Sequence, residues 1–593
     1  MKMFKTKTHL LFILMMVMLA CSTKNKEENV STAFNEMLDQ YYQEGLALDP
    51  IAATETGENQ YNNIFPDYLS DTYKAKKKAY YFDYLEKANQ FEDATLSDEE
   101  KTSKAILIWN CESELEGMTF QNDYFPIDQM WTRNLKIAQW ADGTGAQPFK
   151  TVKDYENWLQ RIDGYVAWLS SAERKMRVGI DSGYVLPKSL IVKVIPQLEA
   201  MANAETENHL FYAPVKIMPA TFSKEEREKI SKEYADMVSQ KIIPAYQHLL
   251  EFMRTDYLAA GRESSGIDAI PNGKAFYAYC VKVNTTTNLT ADEIFQLGLS
   301  EVARIRSAME AVKEQVGYTG DLNSFFDYVR NKKELMPFTD PQQVIDNFNA
   351  IHERMKPQLK KLFDTAPQAG FEVRRTEAFR EKSSSAQYNY PAIDGSRPGI
   401  FYVPIPDAKT YNTFGDESLF LHEAIPGHHY QIALAMENEL LPKFRKTLWL
   451  NAYGEGWALY AESLGKELGL YTDPYQYFGM LSAEMHRAIR LVVDAGMHAE
   501  GWTREQAIQY CLENEAESES SIVAEIERYM ANPGQALGYK MGQLKILELR
   551  QKAENQLGDT FDIRVFHDQV LEPGCLPLDV LESKIDQWIA ANK

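Results

Sequence analysis

Residues 419–431 read LFLHEAIPGHHYQ, and the reading of the whole chain turns on how that stretch runs. In the metal-binding pattern H-E-x-x-H, two histidines four apart share one helical face and aim at one ion. Here His422-Glu423 is present, but the fifth position holds Pro426. On an unbroken helix His429 would share the face of His422 but stand about 10 Å further along the axis, too far for one metal. His428 would point elsewhere. The helix is not expected to continue, because Pro426 has no N–H for the carbonyl of His422 and Gly427 adds conformational freedom. A wide turn that loops out two residues would return His428 to the place of a second ligand. A shared metal therefore requires that Pro426-Gly427 break the helix.

Five of the ten histidines, His422, His428, His429, His486 and His498, crowd between positions 422 and 498. A catalytic zinc takes three protein groups plus water, so a third ligand is needed. The stretch NAYGEGWALYAESL (451–464) reads as helix, with Glu455 amid Tyr453, Trp457, Leu459 and Tyr460. A carboxylate in such apolar company needs a partner. Glu462 is the alternative ligand, or the carboxylate that holds a histidine from behind. Surface histidines and satisfied core carboxylates are the competing reading.

The 593 residues carry a net charge of −22, a surface that repels polyphosphate and excludes nucleic acid as a partner. The start, MKMFKTKTHLLFILMMVMLAC, has a basic head, an apolar stretch and small residues before a cysteine. It reads as a signal peptide over residues 1–20, with Cys21 the lipidated first residue of the mature chain and residues 21–30 a polar tether. No later segment has the roughly 18 consecutive apolar residues of a membrane span. The membrane contact expected is the lipid anchor alone, on a periplasmic or cell-surface face. The other cysteines, Cys111, Cys280, Cys511 and Cys575, are scattered and read as free, buried thiols.

Most of the chain reads helical. Capping boxes open helices at Ser223/Glu226, Thr290/Glu293 and Thr503/Gln506, and Asp340-Pro341 with Gln343 opens another. The acidic run ENEAESES (513–520) reads as a solvated helix face. The clearest strand, GIFYVPIP (399–406), contains Pro404 and Pro406 and is expected at a sheet edge. There it could align an extended peptide by strand addition, with Tyr402 as a substrate contact. The architecture expected is one large, mainly α domain over residues 31–593, in one body or two lobes flanking a cleft.

The stretches HEAIPGHHYQ and YGEGWALYAE resemble a bacterial family catalogued as domain of unknown function 885, a branch of the zincin-like metallopeptidases. YNYPAIDGSRPGIFYV (388–403), RLVVDAGMHAEGWTREQAIQY (490–510) and PGQALGYKMGQLKILELR (533–550) add to the likeness. The resemblance implies a helical zincin-like fold, similar to oligopeptidases and carboxypeptidases, with a small β element beside the active-site cleft. It implies one Zn2+ per chain on His422, His428 and Glu455, and Glu423 as general base. The family shares the departure from H-E-x-x-H. His428, the shorter insertion, is expected as second ligand and His429 is the alternative.

The chemistry expected is peptide-bond hydrolysis. Tyr539 is the first candidate to stabilise an oxyanion. His498, oriented by Asp494 four residues earlier, is the second. Arg397, Arg490 and Arg550 are candidates for a substrate carboxylate. Two rival readings are a helical nutrient-binding lipoprotein without chemistry and a zinc amide hydrolase acting on non-peptide substrates. Glu423 beside His422 favours chemistry, since a binding protein needs no general base. The substrate's sequence, endo- or exo-cleavage and the oligomeric state are not written in the chain.

Overall fold

The computed structural model describes residues 29–377, 381, 385–391 and 397–593. The signal peptide, Cys21 and the tether up to residue 28 lie outside the described residues, and residues 29–48 already form a helix. Among the described residues, no helix is long and apolar enough to cross a membrane.

The chain is mainly helical with one three-stranded sheet. All four expected capping boxes form, each N-cap side chain accepting the N–H three residues on while the residue there reaches back. The elements that matter here are α1 (Val152–Ser182), α2 (Ala291–Gln315), α3 (Pro341–Leu359), β1 (Phe371–Arg375), β2 (Gln387–Asn389) and β3 (Gly399–Val403). They continue with α4 (Asp416–Glu423), α5 (His428–Glu437), α6 (Asn451–Ser463), α7 (Pro474–His498), α8 (Glu519–Ala531) and α9 (Gly538–Leu557).

Two large cores hold the molecule. One gathers Trp158, Tyr165 and Trp168 of α1 with Tyr234 and Tyr246. The larger collects Phe348 of α3, Phe420 of α4, Trp457 of α6, Ile489 of α7 and Ile546 of α9. A small third core includes Tyr184, Tyr277, Leu491 and Leu537. Helix α7 is the spine: it packs along α2 and touches α4, α6, α8 and α9, and from Ala488 to His498 every residue is buried. Helices α6 and α9 cross at two glycines. A Cβ on Gly456 would stand 2.4 Å from the Cα of Gly542, so only hydrogen lets the backbones approach so closely beside Glu455.

Two expectations are corrected. Strand β3 is central, not an edge: it runs parallel to β1 and antiparallel to β2. Pro404 and Pro406 fall just beyond its last residue, Val403, so neither removes a ladder N–H. With both sides taken, β3 cannot receive an added peptide strand. The acidic run is not a helix face either. It spans the junction between a helix ending at Asn514 and α8, and Glu515 is buried there against His486 at 2.6 Å. The four cysteines are free and buried.

Candidate metal centre

Helix α4 stops at Glu423 and α5 starts at His428. Between them Ala424 (ψ −110°) and Gly427 (ψ −125°) leave the helical region, and the Ile425–Pro426 peptide is cis. The His429 N–H reaches five residues back, to the Ala424 carbonyl at 3.1 Å. Gly427 lies so close to α4 that a Cβ would stand 2.0 Å from the His422 carbonyl oxygen. The Trp457 indole N–H donates to the Pro426 carbonyl at 2.9 Å and ties the turn to α6. The break swings His428 back beside His422, with ring centroids 5.0 Å apart.

Glu455 on α6 completes the group. Its Oε2 lies 3.6 Å from His422 Nε2 and 3.6 Å from His428 Nε2, and the three donor atoms fall within 4.8 Å of one another. Those spacings are too long for hydrogen bonds. Ligand atoms at 2.0–2.1 Å around a tetrahedral ion would stand about 3.3 Å apart, close to what is seen. Glu462 lies behind His422: it accepts from Nδ1 at 2.7 Å and from Ser418 Oγ at 2.5 Å, which fixes the ring with Nε2 facing inward. Trp449 flanks His428 at 5.9 Å. His428 Nδ1 is buried without a hydrogen-bond partner among the described residues.

The electrostatics ask for a cation. Burial opposes charge on His422, but Glu455 and Glu462 more than offset it and lift the imidazole to about 9. Burial would raise Glu455, yet the two histidines hold it far below the usual carboxylate range. Left to itself, the group gathers protons around Glu455; a divalent ion supplies the same positive charge at one point. Two imidazoles and a carboxylate with one side open are the donor set of a catalytic zinc, so the residues fit that ion. Glu423, half-buried, makes no hydrogen bond or ion pair among the described residues. Burial pushes its carboxyl up, against the pull of His422 and His428.

The other candidates are spread more widely. His429 turns away: its Nδ1 bonds the Tyr388 hydroxyl at 2.8 Å and its ring packs on Phe371, so His428 alone of the two joins the group. His498 is corrected. It is fully buried, its Nδ1 accepts the Ile267 N–H at 2.9 Å and its Nε2 donates to the Tyr529 carbonyl at 3.0 Å, leaving no proton for an oxyanion. Asp494 does not orient it; it accepts from Tyr277 Oη at 2.6 Å and from the Gly534 N–H at 3.0 Å. Arg550 is spent on Glu554 and Glu467. Tyr402 faces Arg374, its partner across β1 and β3. Arg397 is exposed and within electrostatic reach of Tyr388.

Tyr539, at the start of α9, is half-buried; burial and Glu455 raise its phenol, while Arg490, Arg528 and Arg487 pull it down. Arg490 rests 4.5 Å over the Tyr539 ring and bonds Tyr529, Glu525 and His486. Sequence reasoning passed over Ser418, Tyr388 and Arg487. Ser418 had a signal, lying one turn before His422 on the same face; the other two depend on distant partners.

A cavity of about 1130 Å³ opens between the N-terminal helices and the larger core, lined by Tyr41, Tyr73, Trp131, Phe444 and Leu448 among others. Its wall includes Leu448, whose neighbour in the chain, Trp449, has its ring centroid 5.9 Å from that of His428. Burial raises the Tyr390 phenol, and Cys575, Glu455 and Glu55 add to the rise.

A family model described as a bacterial protein of unknown function, DUF885, matches residues 50–585. A provisionally assigned lipoprotein from Colwellia psychrerythraea has a crystal structure matching at a TM-score of 0.85 and 29% identity, over 95% of this chain and 100% of that one. Another, of unknown function from Shewanella oneidensis, shares the fold at a TM-score of 0.74 and 17% identity, over 93% of this chain and 99% of that one. No curated protein matches the sequence.

Proposed function

The chain belongs to the bacterial family of unknown function DUF885, and we propose that this member is a zinc-dependent hydrolase, foremost a peptidase, on a zincin-like helical fold. One observation carries the reading: His422, His428 and Glu455 present three ligand atoms within 4.8 Å of one another, with Glu423 beside them. Bound there, one zinc ion per chain lowers the pKa of water and polarises a carbonyl. Glu423, free of protein partners, takes a proton from the attacking water and returns it to the departing amine. Tyr539 offers its hydroxyl to the developing oxyanion. Glu462 holds the His422 ring so that Nε2 keeps its lone pair for the ion. The aromatic cavity beside Trp449 receives the peptide.

The N-terminal sequence and the Colwellia relative's assignment support an exported protein, anchored to a bacterial membrane through lipid on Cys21. Mass spectrometry of the mature N-terminus tests this, and an unmodified Cys21 removes it.

The central test is metal analysis of protein purified with zinc, followed by a peptide-library assay of wild type and Glu423→Gln. Zinc near one per chain and hydrolysis lost in the variant are expected. Protein that takes up no transition metal returns the reading to a nutrient-binding lipoprotein, which the size of the cavity would serve. Zinc without peptide cleavage but with cleavage of other amides moves the reading to a non-peptide substrate.

A further inference from the structure

Arg487 of α7 stands out among the described residues for its unpaired guanidinium. It is half-buried and lies one turn before Arg490. Among the described residues its one hydrogen bond goes to a carbonyl of its own helix, Ala483, at 3.3 Å, and its Nε is buried without a partner. It has no ion pair among the described residues. The nearest acid on its own helix, Glu484, is taken by Lys540 at 2.7 Å and Arg304 at 2.6 Å.

Two more arginines stand behind it. Arg490 is buried, held flat on Tyr539, with its Nη1 unpartnered; Arg528 of α8 bonds Glu525 and Gln535 and leaves its Nε unpartnered. One carboxylate, Glu525, serves both Arg490 and Arg528. Glu423 and Glu517 lie within electrostatic reach of Arg487, but among the described residues neither pairs with it, so its guanidinium keeps N–H groups for an incoming acid. Buried cationic N–H groups without acceptors are costly, and an incoming anion recovers that cost. Helix α7 packs on α4, which carries His422 and Glu423, and on α6, which carries Glu455; Arg490 lies over Tyr539, one turn before Gly542, where α9 crosses α6 at Gly456, next to Glu455. Tyr539 lies within electrostatic reach of Glu455 and of Arg490, Arg528 and Arg487.

We infer that Arg487, backed by Arg490 and the Tyr539 ring, is an anion subsite of the metal centre that takes the C-terminal carboxylate of a peptide. The inference rests on the hydrolase reading and deepens it: the enzyme removes residues from free C-termini. A planar guanidinium accepts a carboxylate through two parallel N–H···O bonds. Each residue between the scissile bond and the carboxylate adds about 3.3–3.6 Å, so the length of the released product measures the distance from ion to subsite.

The test uses zinc-loaded Glu423→Gln protein and calorimetry with three N-acetylated tetrapeptides. One ends in alanine with a free carboxylate, one is its C-terminal amide, and one is an amide ending in glutamate. The free acid is expected to bind at least ten-fold tighter than the alanine amide, and adding Arg487→Gln, which breaks no ion pair, should abolish the difference. Equal affinity for acid and amide, or no binding of either, overturns the subsite. Equal binding of the glutamyl amide and the free acid overturns the C-terminal requirement, because the site then reads any carboxylate. Wild-type zinc protein is assayed alongside. Hydrolysis without acid preference leaves the peptidase standing and the subsite fallen; acid preference without hydrolysis does the reverse.

Discussion

His422 and His498 are both buried imidazoles, 5% and 0% exposed, each on a helix of the larger core. They differ in who answers their nitrogens. At His498 two backbone groups from other segments take one nitrogen each. At His422 one nitrogen is fixed by Glu462, and the other faces Glu455 and His428 across gaps too long for hydrogen bonds. His498 is a structural plug with nothing left to offer. His422 belongs to a set of inward-facing donors that becomes complete with a cation. Burial and residue type do not separate the two roles; unspent lone pairs do.

The largest effect should come from exchanging damage between the two sites. In zinc-loaded protein, Glu423→Gln should keep its metal and lose peptide hydrolysis by about 10²–10⁴-fold. Glu455→Ala and His428→Ala should lose the zinc itself, read by metal analysis after dialysis. His498→Ala should keep zinc near one per chain. A His498 variant that is folded but empty, or a Glu455 variant that stays loaded, would erase the distinction.

The converse holds for stability. His498→Ala strands the Ile267 N–H and the Tyr529 carbonyl in the core. Each stranded group costs about 1–3 kcal/mol, so a loss of about 2–6 kcal/mol is expected as a lower thermal midpoint. Glu423→Gln, which severs no hydrogen bond or ion pair among the described residues, should leave the midpoint nearly unchanged.

Much of this was legible in the chain, and the division follows sequence distance. Helix starts are written within four residues, and all four expected capping boxes form. The break at Pro426-Gly427 is equally local, because a missing N–H and a missing side chain act where they stand. Long-range pairing is not local. That β3 is central depends on β1, which lies 28 positions earlier in register, Phe371 against Gly399. That His498 is plugged depends on Ile267, 231 residues away, and that His429 turns away from the cluster depends on Tyr388. Arg487 stands out only once Glu484 is seen to belong to Lys540. Residue types in a stretch can nominate a site; the partners that disqualify a nominee come from elsewhere.

A smaller effect probes the carboxylate behind the ring. Glu462→Gln keeps the shape but weakens the hold on His422 Nδ1–H and returns less to Ser418. Changes at such outer partners typically cost 10–100-fold in metal affinity. Competition with a chelator should show that loss, with hydrolysis at saturating zinc reduced less than in Glu423→Gln. An unchanged zinc affinity would mean that Glu462 merely fills the core.

The smallest effect is a pH dependence that belongs to the plugged histidines. Burial holds His498 and His567 down at about 3, both neutral in the fold. His567 repeats the arrangement of His498: its Nδ1 donates to the Leu362 carbonyl at 2.7 Å and its Nε2 accepts from Tyr460 Oη at 2.8 Å. Their folded pKa values lie below the unfolded value of roughly 6.5. Their contribution is therefore fully present above about pH 6.5 and is lost as pH falls towards 3, because the unfolded chain takes up protons that the fold refuses. One unit below 6.5, each histidine should cost about 1.4 kcal/mol. Denaturant midpoints measured between pH 7 and 5 should fall less steeply in His567→Gln than in wild type. Parallel slopes would mean that His567 is protonated inside the fold, and that a nitrogen answered by the protein does not stay neutral as argued for His498.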